Sequence, residues 1–160
     1  MNKVYIRFPD FKLKAVTLSY DDGVRQDKRL ISIMQKYGLK GTFNISAGIF
    51  SDKNEGKEKG RMSKQEALSL YIPSGMEVAI HGYRHFSLAS IATNLAINDI
   101  VSDRKELENL FGRVITGMAY ANGSYSEEII ELLHKVGIRW ARLAGESEKF
   151  DLPTNWLAWQ

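Results

Sequence analysis

The sequence predicts an α/β domain with a largely parallel sheet or barrel. Two observations carry that prediction. Strand-like and helix-like segments alternate along the chain, the order expected of β/α units. The length of 160 residues, with 44% hydrophobic and 26% charged residues, suits one soluble domain over 1–160 with a single core.

The elements follow in order. Lys14 to Tyr20 reads as the first strand. A helix near Gln26 to Tyr37 places Leu30, Ile33, Met34 and Tyr37 at i, i+3, i+4 and i+7 on one face, and Gly38 caps it. Gly41 to Ile45 reads as the second strand. Ser51 to Arg61 is polar with two glycines, a flexible surface loop. Ser63 and Glu66 have capping-box spacing and open a helix that ends before Pro73. Met76 to Ile80 is the third strand. A helix within Thr93 to Phe111 points Ile97, Ile100, Leu107 and Phe111 inward. Val114 to Tyr120 is the fourth strand. Ser124 and Glu127 form a second capping-box pair, opening a helix with the stripe Ile129, Leu132, Leu133 and Val136. Ile138 to Leu143 is the fifth strand, and the chain closes on the apolar run Trp156-Leu157-Ala158-Trp159. Five β/α units fall short of the roughly eight that close a regular barrel, so an incomplete barrel is expected.

Charge and composition narrow the functional classes. The net charge of +3 comes from scattered Lys and Arg, which argues against a nucleic-acid partner. With no cysteine, disulfides, thiolate metal sites and a cysteine nucleophile are all excluded. The N-terminus has no signal-peptide apolar core and no window reaches the length of a membrane span. A cytoplasmic protein without a membrane partner is therefore expected.

The chemistry gathers at predicted strand ends, where parallel α/β folds carry their reactive residues. Asp21-Asp22-Gly23 follows the first strand. Adjacent carboxylates raise one another's pKa, and burial raises both further. A metal ion on one of them relieves that strain and leaves the other free as a base. His81 follows the third strand and His85 comes four residues later, across Gly82-Tyr83-Arg84. Two imidazoles and a carboxylate suit a divalent metal with a position open to water. Zinc is the first choice, and Fe(II), Co(II) or Ni(II) are also accommodated. His134, the third histidine, projects nearly opposite the apolar stripe of its helix and reads as a surface residue.

These residues resemble the NodB-homology polysaccharide deacetylases, carbohydrate esterase family 4. Leu18-Ser19-Tyr20-Asp21-Asp22-Gly23 is similar to the family's first motif, T-F-D-D-G, and His81-Gly82-Tyr83-Arg84-His85 to its second, H-x-x-x-H. Lys40 to Ile45 looks like the family's second strand. The resemblance implies Asp21 as general base and Asp22, His81 and His85 as metal ligands. Ala119 to Tyr125 is a looser match to the third motif, with alanines where the arginine and proline belong. The resemblance implies a main-chain N–H of this loop, at Asn122, as an oxyanion donor; Arg142, at the end of the fifth strand, is the candidate to replace the missing arginine in space. The family's late histidine, which protonates the leaving amine, has no match here.

The implied fold is a distorted (β/α) barrel, incomplete in this chain, which covers the N-terminal major part of the domain from about residue 12 to 145. The implied activity is metal-dependent removal of acetyl groups from an N- or O-acetylated carbohydrate. Two other readings remain open: a catalytically impaired relative that binds glycan or metal, and a C–N (non-peptide) amide hydrolase acting on a small metabolite.

Overall fold

The computed structural model describes residues 8–52, 60–146 and 151–160. Five strands form one parallel sheet in the order of the chain: β1 (Ser19–Asp21), β2 (Thr42–Ile45), β3 (Glu77–Ile80), β4 (Gly117–Ala119) and β5 (Trp140–Arg142). Four helices connect them: α1 (Asp27–Lys36), α2 (Lys64–Ser74), α3 (Thr93–Phe111) and α4 (Glu127–Lys135). The sheet is curled, since Arg142 on β5 reaches Ser19 and Asp21 on β1. It is the expected incomplete β/α barrel.

Every strand keeps its place and most are shorter than the apolar runs suggest. Residues 14–17 lie outside β1, and Val16 is 88% exposed. β2 pairs with β1 only from Ser19 onward, so the upstream run has no neighbour to bond. Val114 likewise lies outside β4, 76% exposed. At the other edge of the sheet, the closing apolar run covers β5. The Ala141 and Leu143 N–H groups donate to the Trp156 and Trp159 carbonyls at 2.8 and 2.7 Å, and Trp159 N–H donates back to Ala141 at 2.9 Å. That pairing shields an edge that would otherwise offer free backbone groups.

The helix faces are rotated from the simplest stripe reading. α1 buries Asp27, Ile31 and Met34, while Ile33 and Tyr37 are exposed. In α3 Ile97 is exposed, and the buried face is Ala96, Asp99, Ile100, Asp103, Leu107 and Phe111. The Ser63–Glu66 capping box forms reciprocally, with bonds of 3.1 and 2.9 Å. α2 runs through Pro73 to Ser74, because a proline in the last turn keeps a helical φ and deprives only one carbonyl of its donor. The cap of α4 is Ser126, whose Oγ accepts from Ile129 N–H. Ser124 instead accepts from Ala89 N–H. Of the expected loop, residues 53–59 lie outside the described residues. Its end is ordered by an antiparallel bridge between Arg61 and Val24.

The core sits between β2–β4 and the helices. Phe43 stacks between Tyr20 and Tyr71, and Tyr71 meets Phe111 edge-on. A buried Phe such as Phe43 contributes about 1.5–3 kcal/mol. Tyr71 also donates to Asp27 Oδ2 at 2.6 Å. Burial raises Asp27 to about 6, against the Tyr71 bond and with help from the Asp22 charge. The fold therefore favours the protonated form. This contribution is full below the unfolded value near 3.8 and is lost as pH rises through about 6. Asp27→Asn cannot ionise, so it is expected to match wild type near pH 4 and exceed it by about 1 kcal/mol at pH 8. Denaturant midpoints across pH measure this, and parallel profiles for the two proteins would refute it.

Candidate metal centre

The Asp21-Asp22-Gly23 turn leaves β1 with its backbone inverted. Asp22 has φ 84° and Gly23 φ 64°, and Asp22 N–H still donates to the Asn44 carbonyl of β2 at 2.9 Å. A non-glycine residue held there costs about 1–3 kcal/mol. The turn aims the two carboxylates differently, which separates their surroundings.

Asp22 faces the histidines. One ligand atom from each of Asp22, His81 and His85 lies within 4.8 Å of the others. Asp22 Oδ1 is 3.4 Å from His85 Nε2 and 3.9 Å from His81 Nε2. Arg61 Nη1 is 3.0 Å from the same oxygen. His81 Nδ1 lies 2.8 Å from the Ala119 carbonyl on β4, which fixes the tautomer with a bare Nε2. Burial holds the His81 imidazole below its ordinary range, against the opposing pull of Asp21 and the Ala119 carbonyl. It is neutral at pH 7, as a ligand must be. Asp22 Oδ1 is buried and takes no hydrogen bond. A buried carboxylate oxygen held by an ion pair with Arg61 and not by a hydrogen bond, and facing the Nε2 atoms of two imidazoles, fits a divalent cation.

Asp21 faces the other way, into a cationic and amide clamp. Arg142 Nη2 donates to Asp21 Oδ1 and Oδ2 at 2.5 and 2.6 Å, and Asn44 Nδ2 donates to Oδ1 at 2.8 Å. Arg142 Nε is anchored on Ser19 Oγ at 3.0 Å. Burial pushes Asp21 up, but the Arg142 hydrogen bond, the His81 and Arg142 charges and Asn44 outweigh it, and its pKa lies below the ordinary 3.8. This corrects the expectation of carboxylates that raise one another: each aspartate has its own arginine. It also places Arg142 on the Asp21 carboxylate.

The loop carrying the histidines is pinned from beneath by two aspartates that the sequence reading did not single out. Asp103 is fully buried and accepts from Ala47 N–H at 2.6 Å and His81 N–H at 3.0 Å. Asp99 accepts from Arg84 N–H at 3.1 Å. Gly82 has φ 81°, and a Cβ there would lie 3.0 Å from Asp99 Oδ2. Gly48 is pressed against the same loop: it donates to the Tyr83 carbonyl, and a Cβ on it would sit 2.2 Å from that oxygen. The available signal was two aspartates four apart inside the apolar stripe of α3.

Asn122 lies in the turn after β4 with φ 57°, exposed, its side chain donating to Ser87 Oγ at 3.0 Å. His134 is exposed on α4. Tyr120 is buried, donating to the Leu157 carbonyl at 2.8 Å, and Tyr20 packs on Phe43, so both are packing residues.

Residues 9–141 match the family model described as polysaccharide deacetylase. No curated protein matches the chain. Among solved structures, the Streptococcus pyogenes deacetylase PplD in complex with acetate aligns at a TM-score of 0.77 and 18% identity, over 88% of this chain and 59% of that one. IcaB from Ammonifex degensii aligns at 0.67 and 22%, over 78% and 57%. BA3943, a CE4 family pseudoenzyme from Bacillus anthracis, aligns at 0.66 and 14%, over 81% and 43%. These likenesses show the fold. The chain spans between 43% and 59% of the length of the three structures.

Proposed function

Because the chain belongs to the polysaccharide deacetylase family, we propose that it is a metal-dependent hydrolase that removes acetyl groups from an N- or O-acetylated carbohydrate. One observation supports this most directly. Asp22, His81 and His85 converge within 4.8 Å, beside a second carboxylate that is kept ionised and oriented by Arg142. Zinc is the first candidate for the cation; Co(II), Ni(II) and Fe(II) suit the same donors.

In this reading Asp22, His81 and His85 hold the cation. When bound, it supplies Lewis acidity, polarising the acetyl carbonyl and making water more acidic. Asp21 takes the proton from the attacking water at a carboxylate oxygen. Arg142 and Asn44 fix that carboxylate so that it does not swing towards Asp22. The main-chain N–H of Asn122 donates to the oxygen that gains charge on the acetyl carbon. His134 stands exposed on α4, away from the cluster, and takes no part in protonating the leaving group.

A second reading, a catalytically impaired relative that binds metal or glycan, is favoured by the alanines that stand where the third motif carries arginine and proline. The likeness to a CE4 pseudoenzyme shows that this fold accommodates one. Metal analysis and acetate release separate the readings. Wild type is expected to carry about one divalent ion and to release acetate from acetylated chito-oligosaccharides, xylan or peptidoglycan. A chelator should abolish the release, and zinc or cobalt should restore it. Asp22→Asn is expected to weaken metal binding about 100-fold. Metal without acetate release from any glycan selects the impaired relative or a hydrolase of small amides. Equal metal content in wild type and Asp22→Asn refutes the centre.

A further inference from the structure

We propose that Arg61 is a positioning residue that holds the Asp22 carboxylate when no cation is bound and weakens the affinity of the centre for a divalent ion. The inference rests on the reading of Asp22, His81 and His85 as ligands. Arg61 Nη1 lies 3.0 Å from Asp22 Oδ1, the oxygen that faces both imidazoles. It also donates to the Asp22 main-chain carbonyl. The left-handed turn at Asp22 brings carbonyl and carboxylate within reach of one guanidinium.

This arginine is built in. Its side chain is only 15% exposed. Its backbone bridges Val24, Arg25 N–H donates to the Gly60 carbonyl at 2.7 Å, and Met62 N–H donates to the Gly23 carbonyl at 3.1 Å. Met62 itself is fully buried. The guanidinium is thus presented to Asp22 by a short ladder that grips the same turn.

A guanidinium keeps its charge at every pH the protein tolerates. Beside a bare carboxylate it is stabilising; beside a carboxylate that already shares an oxygen with a divalent cation it is a like charge at close range. The empty centre stays folded, and the filled one gives up its ion more readily than its three ligands alone would dictate.

Zinc titration of the chelator-treated full chain by calorimetry tests this. Cobalt, followed by visible absorption, serves as a second probe. Arg61→Gln is expected to bind either ion about tenfold tighter than wild type. Arg61→Lys keeps the charge and is expected to stay within about threefold of wild type. Thermal melting supplies a readout without catalysis: the rise in Tm on adding zinc should be larger for Arg61→Gln, whose empty form loses its counter-charge. Equal or weaker binding by Arg61→Gln, with wild type binding normally, overturns the role of Arg61 and leaves the metal centre standing. The same holds if Arg61→Lys behaves like Arg61→Gln. No binding by either variant or by wild type overturns both. Should Arg61→Gln fail to fold, wild type carries the test: the Arg61 Nε resonance must move on adding zinc, and an unmoved signal refutes the proposal.

Discussion

Asp21→Asn is expected to lower acetate release by about 10²–10⁴-fold while leaving metal binding close to wild type. The two adjacent aspartates are chemically identical and differ only in surroundings. Asp22 Oδ1 faces two histidines and accepts no hydrogen bond, whereas Asp21 spends its oxygens on Arg142 and Asn44. Asparagine keeps the size and the carbonyl acceptor of Asp21 and removes its basicity. The Arg142 guanidinium then faces a neutral amide, so a modest loss of stability accompanies the loss of rate. Acetate release and metal stoichiometry, measured on the same preparation, decide the matter. Loss of metal with Asp21→Asn would mean that the two carboxylates have exchanged roles. Unchanged turnover would remove Asp21 from the chemistry.

Asp103→Ala is expected to destabilise the fold by about 2–5 kcal/mol, the cost of leaving buried backbone N–H groups without an acceptor. Asp103 is 0% exposed and is the acceptor for the N–H groups of Ala47 and His81. Burial pushes its pKa up to about 8 despite those donors. Alanine leaves both donors orphaned, at about 1–3 kcal/mol for each before relaxation. Asparagine keeps one acceptor oxygen and is expected to fall between. Denaturant unfolding measures the difference. A loss under about 1 kcal/mol would show that water replaces the carboxylate. Because His81 is one of the pinned residues, metal affinity is expected to fall together with stability.

The alternation of β and α was legible because apolar periodicity and the Ser63–Glu66 cap are local signals. The Asp22, His81 and His85 cluster was legible because each residue follows a strand in a parallel sheet, and such strands end on one side. Strand lengths were not legible, since an apolar run such as Lys14 to Tyr20 does not reveal where its neighbour stops. On α3 the stripe of Ile100, Leu107 and Phe111 is buried as expected, while Ile97 on α3 and Ile33 and Tyr37 on α1 are not; Asp27, Asp99 and Asp103 are buried because they accept hydrogen bonds, and a hydrophobic stripe does not count them. Arg61 was hidden in a polar, glycine-containing segment, where nothing local distinguishes a built-in cation from a solvated one. Arg142 was found from its position at a strand end, although its reach to Asp21 depends on curvature, a property of the whole sheet.

That reach has a consequence for the order in which the protein is assembled. Asp21 and Arg142 are 121 residues apart in sequence, on the first and last strands of the sheet. During synthesis the first carboxylate emerges long before its counter-ion exists. The entropy of closing so long a span grows only slowly with length, but the contact still comes after those between successive strands. A nascent chain halted before β5 therefore carries an intact motif and an Asp21 carboxylate without its guanidinium. In the proposed mechanism turnover would appear only once β5 is in place, making it a reporter of that strand's arrival.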